Sequence, residues 1–510
     1  MTVFWNIGCV PALINFHLRQ EPLKHCIRVA KRCKAIVVGA ELQDELSSVL
    51  DEDDLKALPV FVSGKKDAAL KIAGGIDADE GLKASSSEVP PQLEAVGFVD
   101  DMVYIYTSGT TGLPKAAVIK HSRAYFAALG MGLMVGVQSS CKDGQAVLYD
   151  ALPLYHTAGG IIGVGQALFL GVSVVLRKKF SASAFWAECC RYKCTAAQYI
   201  GEICRYLYNL PPKPEDSQHN VRIMFGNGLR PTLWEDFQRR FAIPTISEFY
   251  GSTEGNANII NIDGKKGAVG FVSVLFPSVY PVALLKVDQD TGEILRGPDG
   301  LCIRCQPGEA GEFVGKIVRG DPVRDFHGYA DETASKKKVV RDVFRKGDAA
   351  FLSGDILVMD EEGYLYFKDR TGDTYRWKGE NVSTAEVEAI VSGALGNADV
   401  VVYGVEVPGA EGRAGMAAVE RKDDQDLDLT ALYAALESSL AAYARPLFIR
   451  WASALERTGT FKLKKVPLQK EGFNPKAVKD PIFFLDGKSR KFVPLTEQLY
   501  EDIVGGRVRV

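Results

Sequence analysis

No charge of one sign dominates this chain: 61 Lys and Arg stand against 64 Asp and Glu over 510 residues, a formal charge of −3. A dedicated nucleic-acid binder carries a basic excess, so nucleic acid is excluded as a partner. No internal repeat is evident. Hydrophobic residues at 46% and charged residues at 25% exclude a disordered, collagenous or polytopic membrane chain. At about 150 residues per domain the length allows two or three domains.

A basic stretch followed by an apolar core is missing from the Met-Thr-Val-Phe-Trp start, so no secretory signal is expected. The ten Cys are scattered rather than set out as a framework, which points to reduced thiols in a cytosol-facing protein. Cys302-Ile303-Arg304-Cys305 has neither a second such pair nor a nearby His, and reads as an incidental pair on a β segment, not a zinc site. Two uncharged runs, Ala124 to Cys141 and Ala158 to Leu176, approach bilayer-spanning length. The second breaks at Leu170-Gly171 and continues as the β-branched Val172–Leu176, so it reads as a buried helix–turn–strand unit.

What is present is alternation. In residues 1–100, short apolar runs such as Ala35–Val38 alternate with charged helical stretches, and Lys83–Pro91 is a Ser/Pro-rich loop. From Val103 to Gly251, β-rich runs (VYIY, AVLYDALP, VSVVL, VRIMFGN, TISEFYG) are separated by helical patterns at Ala184–Arg191 and Pro231–Phe241. Such alternation predicts a largely parallel sheet in an α/β fold. From Pro281 to Phe367, turn signals (DQDTGE, GPDG, GEAGE, DEEGY) predict hairpins of a β-rich subdomain. After Asp369 a small α+β unit is expected, with a helix from Thr384, a strand at Val400–Val405 and a helix at Leu427–Ala442. That last helix places Leu429, Leu432, Leu436 and Leu440 on one face. The domain boundary is expected at 369/370, dividing 1–369 from 370–510.

The strand VYIY leads into Thr107-Ser108-Gly109-Thr110-Thr111-Gly112-Leu113-Pro114-Lys115. Glycines let successive N–H groups curl inward, hydroxyls add donors, and Lys115 supplies a point charge, so the segment predicts a phosphate-binding loop. It is not the Walker loop, because Leu113-Pro114 separates the last Gly from Lys.

YTSGTTGLPK resembles the signature loop of the adenylate-forming acyl-CoA synthetase superfamily. Further segments agree in order and spacing. Leu152-Pro153-Leu154-Tyr155-His156 resembles the motif whose His lies near the phosphates and acyl tunnel. Gly226-Asn227-Gly228-Leu229 resembles the adenine-side loop, and Tyr250-Gly251-Ser252-Thr253-Glu254 the segment whose ring stacks on adenine. Ser353-Gly354-Asp355 resembles the ribose-binding turn, and Asp369-Arg370 the start of the hinge. DRTGDTYRWKGENVSTAEVE and TGTFKLKKVPL are similar to the fatty-acid transport protein, or very-long-chain acyl-CoA synthetase, family.

The resemblance implies a large multi-subdomain adenylation domain and a small mobile α+β C-terminal domain. It implies ATP-dependent activation of long- or very-long-chain fatty acids to acyl-CoA through an acyl-adenylate, coupled to fatty-acid uptake, with ATP, Mg²⁺ and coenzyme A as cofactors or co-substrates. Thr107–Thr111 and Lys115 would hold the β- and γ-phosphates, Thr253 the α-phosphate, and Glu254 Mg²⁺. Asp355 would accept from the ribose hydroxyls beside Arg370. Lys462, after Thr458-Gly459-Thr460-Phe461, matches the adenylation lysine. Gly372 stands where relatives often carry Asp or Lys at the hinge, and rotation there would bring Arg376, Lys378 and Gly379 towards the pantetheine thiol.

By resemblance the protein is membrane-associated, at the endoplasmic reticulum, plasma membrane or peroxisome, with its catalytic part facing the cytosol and a membrane surface as partner. Oligomeric state stays open, a homodimer being the form weighed. The match starts at Phe4, inside the family's large domain, which implies that the family's N-terminal part lies outside this sequence. Three alternatives stand beside ligase activity: a transport or trapping protein with impaired ligase activity, a carrier-serving adenylation domain, and a catalytically dead remnant. The carrier reading is weakened by the lack of a Gly-Gly-x-Ser site near Val510.

Overall fold

The computed structural model describes the chain except residues 1–7, 31–32, 65–68, 89–94, 108–112, 142–143, 230, 278–279, 289–292, 371–373, 397, 422–426, 457–462 and 464. At some further positions, Arg370 among them, only the backbone is described. The chain divides into two units: Met1–Leu13, Gln92–Tyr106 and Ala117–Gly372 form one, and Ile14–Pro91, Thr107–Ala116 and Asp373–Val510 the other.

The first unit is built on a six-stranded sheet in the order Ile259–Asn261, Thr245–Tyr250, Ile223–Asn227, Ala196–Ile200, Val147–Asp150, Ser173–Leu176. Its last five members are parallel and Ile259–Asn261 runs antiparallel at the edge. The central strands are buried nearly throughout, as expected of a sheet covered on both faces. Helix Pro231–Phe241 starts on a proline, whose fixed φ suits a first turn, and buries Trp234, Phe237 and Phe241 along one stripe. Helix Ala182–Arg191 adds Phe185, Trp186 and Cys189 to the same core. The uncharged run after His156 is indeed helix, turn and strand, but its first turns, Thr157–Gly163, are a π-helix, continued by helix Val164–Leu170 and a left-handed Gly171.

The β-rich region is an antiparallel sheet in the order Gly270–Phe271, Tyr364–Arg370, Ala349–Met359, Ala310–Lys316, Val282–Leu285, with Val339–Arg341 pairing on Ala349–Met359. Asp360 closes one hairpin by accepting from the backbone N–H groups of Glu362, Gly363 and Tyr364.

In the second unit a five-stranded sheet runs Val400–Val405, Ala414–Glu420, Phe448–Ala452, Ile482–Asp486, Lys491–Pro494. Helices Thr384–Ala394 and Leu429–Ser439 cover it. The second is shorter than the expected Leu427–Ala442. Asp428 accepts from Thr430 and Ala431 N–H and so fixes the start, while Leu440 is already extended. Leu432, Leu436 and Leu440 are buried. A small parallel sheet, Ile36–Gly39, Val60–Ser63, Ile76–Asp77, belongs to this unit as well, and Asn15 Nδ2 donates to the Tyr443 hydroxyl at 3.4 Å. Among the described residues, no helix is long and apolar enough to cross a membrane.

Candidate active site

Ligands of a parallel α/β sheet bind outside the carboxyl ends of its strands, where the connecting loops are free to vary. In the first unit, strand Val147–Asp150 leads to Leu152–His156, Ile223–Asn227 ends in Gly226-Asn227-Gly228, and Thr245–Tyr250 opens into Gly251–Glu254. Three of the expected motifs therefore leave the same edge of one sheet.

At the second of these ends only glycine fits position 226, because a Cβ there lies 2.0 Å from the Tyr199 carbonyl oxygen. The turn that follows is held by Glu248, a buried carboxylate that the sequence reading did not single out. It accepts from the Gly228 N–H at 2.9 Å, the Leu229 N–H at 2.9 Å and the Tyr199 hydroxyl at 2.7 Å. Gly228 has φ +87°, a conformation that favours glycine. The available signal was a lone acidic residue in the apolar run TISEFY of a central strand.

Three side chains from distant parts of the chain tether the loop after Tyr250. Arg123, on helix His121–Val135, donates to the Ser252 carbonyl at 3.2 Å. Thr157, first residue of the π-helix, donates its hydroxyl to Thr253 Oγ1 at 3.1 Å. Tyr329 donates to Glu254 Oε1 at 2.8 Å. Gly251 packs against Asn258, whose Oδ1 lies 2.1 Å from the place of a Cβ. Burial pushes the Arg123 guanidinium down to about 10, with the Glu254 carboxylate opposing that shift.

Tyr250 reaches the β-rich sheet. Its hydroxyl donates to Asp355 Oδ2 at 2.7 Å, and its ring meets Phe313 edge-on at 5.2 Å. Asp355 is buried within strand Ala349–Met359, donates its backbone N–H to Ser353 Oγ at 3.1 Å, and faces Arg370 in register. Among the described residues, no cluster of three or more His, Cys, Asp or Glu is placed to hold a metal. Glu254 stands as a single buried carboxylate, a donor set that fits Mg²⁺ shared with substrate phosphates rather than caged by protein.

His156 immediately precedes the π-helix, with Tyr155 tilted against it at 4.6 Å. Glycines at 159 and 160 let this helix press on the preceding strand end: a Cβ there would lie 2.7 Å from the Pro153 carbonyl oxygen and 2.2 Å from that of Leu154. Gly163 faces two buried acceptors, Asp150 Oδ2 and Gln198 Oε1, neither of which has a hydrogen-bond partner among the described residues. Burial raises the Asp150 carboxyl to about 7, opposed by the Leu152 N–H.

In the second unit, Thr107 ends its strand with a buried Oγ1 that has no partner among the described residues. Lys115 is buried at the start of strand Lys115–Lys120, and His25 Nε2 donates to the Pro114 carbonyl at 2.9 Å. Arg376 lies on strand Thr374–Trp377, which pairs with Glu380–Ser383 through a turn formed by Lys378 and Gly379, at φ 51° and 84°. Two successive left-handed residues match the twist of such a hairpin. Ser108, Gly109, Thr110, Thr111, Gly112, Gly372 and Lys462 lie outside the described residues, as does the Arg370 side chain.

The AMP-binding enzyme family matches residues 4–321, and the AMP-binding enzyme C-terminal domain matches residues 386–462. Long-chain fatty acid transport protein 1 of Mus musculus is 50% identical over 499 residues, 98% of this chain and 76% of the relative. Long-chain fatty acid transport protein 2 of Rattus norvegicus is 41% identical over 506 residues, 98% of this chain and 79% of the relative. Among solved structures, the amide bond synthetase McbA from Marinactinospora thermotolerans gives a TM-score of 0.68 at 20% identity, covering 92% of this chain and 86% of that one. An acyl-CoA synthetase of Brucella canis gives 0.58 at 20% identity, covering 92% and 80%. These two establish the fold, a mixed α/β architecture with parallel sheets and a C-terminal domain. With half its residues shared across nearly its whole length, the chain belongs to the AMP-binding enzyme family, among the long-chain fatty acid transport proteins.

Proposed function

We propose that this protein is an AMP-forming ligase that activates long- or very-long-chain fatty acids to acyl-CoA. A carboxylate is a poor acylating agent because its oxygen leaves badly. The fatty-acid carboxylate attacks the α-phosphorus of ATP, and pyrophosphate departs. The CoA thiol then attacks the acyl carbonyl of the resulting adenylate, and AMP leaves with the carboxylate oxygen. Charge builds on the phosphoryl oxygens in the first step, so donors and cations held in advance lower its barrier.

The reading rests above all on the Tyr250–Glu254 loop, which leaves the carboxyl edge of the sheet beside the Gly226–Leu229 turn and is anchored to Asp355. Tyr250 provides the ring for adenine, with Gly226, Asn227 and Gly228 on the opposite side. Asp355 keeps acceptor capacity for the ribose hydroxyls beside Arg370. Ser252 and Thr253 face the α-phosphate, and Glu254 would hold Mg²⁺, which when bound neutralises charge on the phosphate oxygens. His156 borders the acyl carboxylate. Thr107–Gly112 and Lys115 receive the β- and γ-phosphates, and Lys462 completes adenylation. In this assignment residues 1–369 form the adenylation domain and 370–510 the C-terminal domain. A turn at Gly372 exchanges Lys462 for Arg376, Lys378 and Gly379 when CoA is to react.

The acid substrate is delivered from a membrane surface, and thioester formation traps it on the cytosolic side, which couples activation to uptake. The test is pyrophosphate release by purified protein supplied with ATP, Mg²⁺ and fatty acids of graded length. Release that depends on the acid, with thioester appearing only when CoA is added, is the expected result. Folded protein that releases none overturns the reading.

A further inference from the structure

The Thr157–Thr253 hydrogen bond joins the two halves of the first chemical step: Thr157 follows the His expected beside the acyl carboxylate, and Thr253 is the residue expected on the α-phosphate. A hydroxyl has one proton to donate and two lone pairs to accept with. With the Thr157 proton occupying one lone pair of Thr253 Oγ1 at 3.1 Å, the Thr253 proton is turned away from Thr157 and remains available to a further acceptor. A chain of two such donors also polarises the second hydroxyl, strengthening the bond it makes next.

The donor is held in place. The π-helix is clamped at its start by the Gly160 N–H on the His156 carbonyl at 2.8 Å. The carbonyls of Pro153 and Leu154 press on Gly159 and Gly160 so closely that neither position accepts a Cβ. The acceptor is held as well, because its neighbours Ser252 and Glu254 are tied to Arg123 and Tyr329. A β-branched side chain at 157 has few rotamers to choose from, and a π-turn is the kind of local irregularity found at functional sites.

We propose that Thr157 is a positioning residue for adenylation: it orients the Thr253 hydroxyl so that its proton meets the α-phosphate as the carboxylate attacks. This rests on the reading that places Thr253 at the α-phosphate. The orientation matters in the first half-reaction alone, since by the second the phosphorus is already esterified and the CoA thiol attacks carbon.

Thr157→Val keeps the shape and removes the donor, and Thr157→Ser keeps the donor and removes a methyl. Thr157→Ala is a second hydroxyl-free variant without the branched side chain. Each is assayed in two half-reactions: acid-dependent pyrophosphate formation, and thioester release from supplied acyl-adenylate and CoA. Thr253→Val is measured alongside. The Val and Ala variants are expected to lose about tenfold in kcat of the first half-reaction, the size of one lost hydrogen bond to a reacting group. The KM for the acid and the whole second half-reaction stay within about twofold, and Ser restores the first half-reaction.

If Thr157→Val matches wild type while Thr253→Val is impaired, this inference fails and the site assignment stands. If Thr253→Val is unimpaired, the assignment itself fails. Equal loss in both half-reactions, or failure of Ser to restore the first, identifies a purely structural role and overturns the proposal.

Discussion

At the scale of single residues, the site is supported by buried charges whose partners decide what they do. Glu248 is satisfied by three donors and stiffens the Gly226–Leu229 turn. Removing its carboxylate in Glu248→Ala leaves the Gly228 and Leu229 N–H groups without their acceptor. A stability loss of about 2–3 kcal/mol is expected, together with a raised KM for ATP and an unchanged KM for the fatty acid, readable from thermal melts and initial rates. Asp150 is the opposite case. Its carboxyl, pushed up to about 7 by burial, keeps in the folded state a proton that the unfolded chain releases near the ordinary carboxylate value of about 4. Its share of stability is therefore full below about pH 4 and lost as pH rises through 7. Asp150→Asn keeps the acceptor for the Leu152 N–H and adds a donor on the side of Gln198. It should raise stability by on the order of 2 kcal/mol at pH 8 and by little at pH 4. The remaining pH slope belongs to groups such as Glu386, which burial also raises to about 7. A gain of equal size at both pH values contradicts this account.

At the scale of elements, what was legible in the sequence was whatever is contiguous. Strand Val400–Val405 and helix Pro231–Phe241 have the bounds that their apolar patterns and punctuation imply, because periodicity and a first-turn proline are local signals. The tethers of the Ser252–Glu254 loop were not legible. Arg123 lies 129 residues from Ser252, Thr157 lies 96 from Thr253 and Tyr329 lies 75 from Glu254, so only the folded sheet brings them together. The π-helix was also hidden, since its glycines read as ordinary interruptions of a helix. They are instead sites of close approach. In Gly163→Ala the new Cβ would meet Asp150 Oδ2 at 2.3 Å and Gln198 Oε1 at 2.6 Å. A loss of about 2 kcal/mol is expected from such overpacking, checked by denaturant unfolding; a neutral Ala would mean that the π-turn gives way easily.

At the scale of the whole molecule, the chain matches the AMP-binding enzyme family and its C-terminal domain, and three of the expected motifs emerge from one edge of one sheet, at the carboxyl ends of its parallel strands. Composition alone reached only a globular protein with balanced charge; the ordered motifs carried the family, and family membership carries the reaction. Chain-length preference was not legible, because residues that would line an acyl tunnel are the same Val, Ile, Leu and Phe that fill any core. Chelation of divalent cations should abolish activity, and Mg²⁺ should restore it, as expected if Glu254 needs the ion to reach the phosphates; activity that survives chelation counts against that role.

The central claim is that the acid is activated as an acyl-adenylate. Its most direct test supplies palmitate labelled with heavy oxygen in its carboxylate, together with ATP, Mg²⁺ and CoA, and analyses the nucleotide product by mass spectrometry. The account predicts AMP carrying one heavy oxygen, because a carboxylate oxygen stays on the α-phosphorus when the thiol displaces it. Unlabelled AMP, or ADP and labelled phosphate in its place, would contradict it.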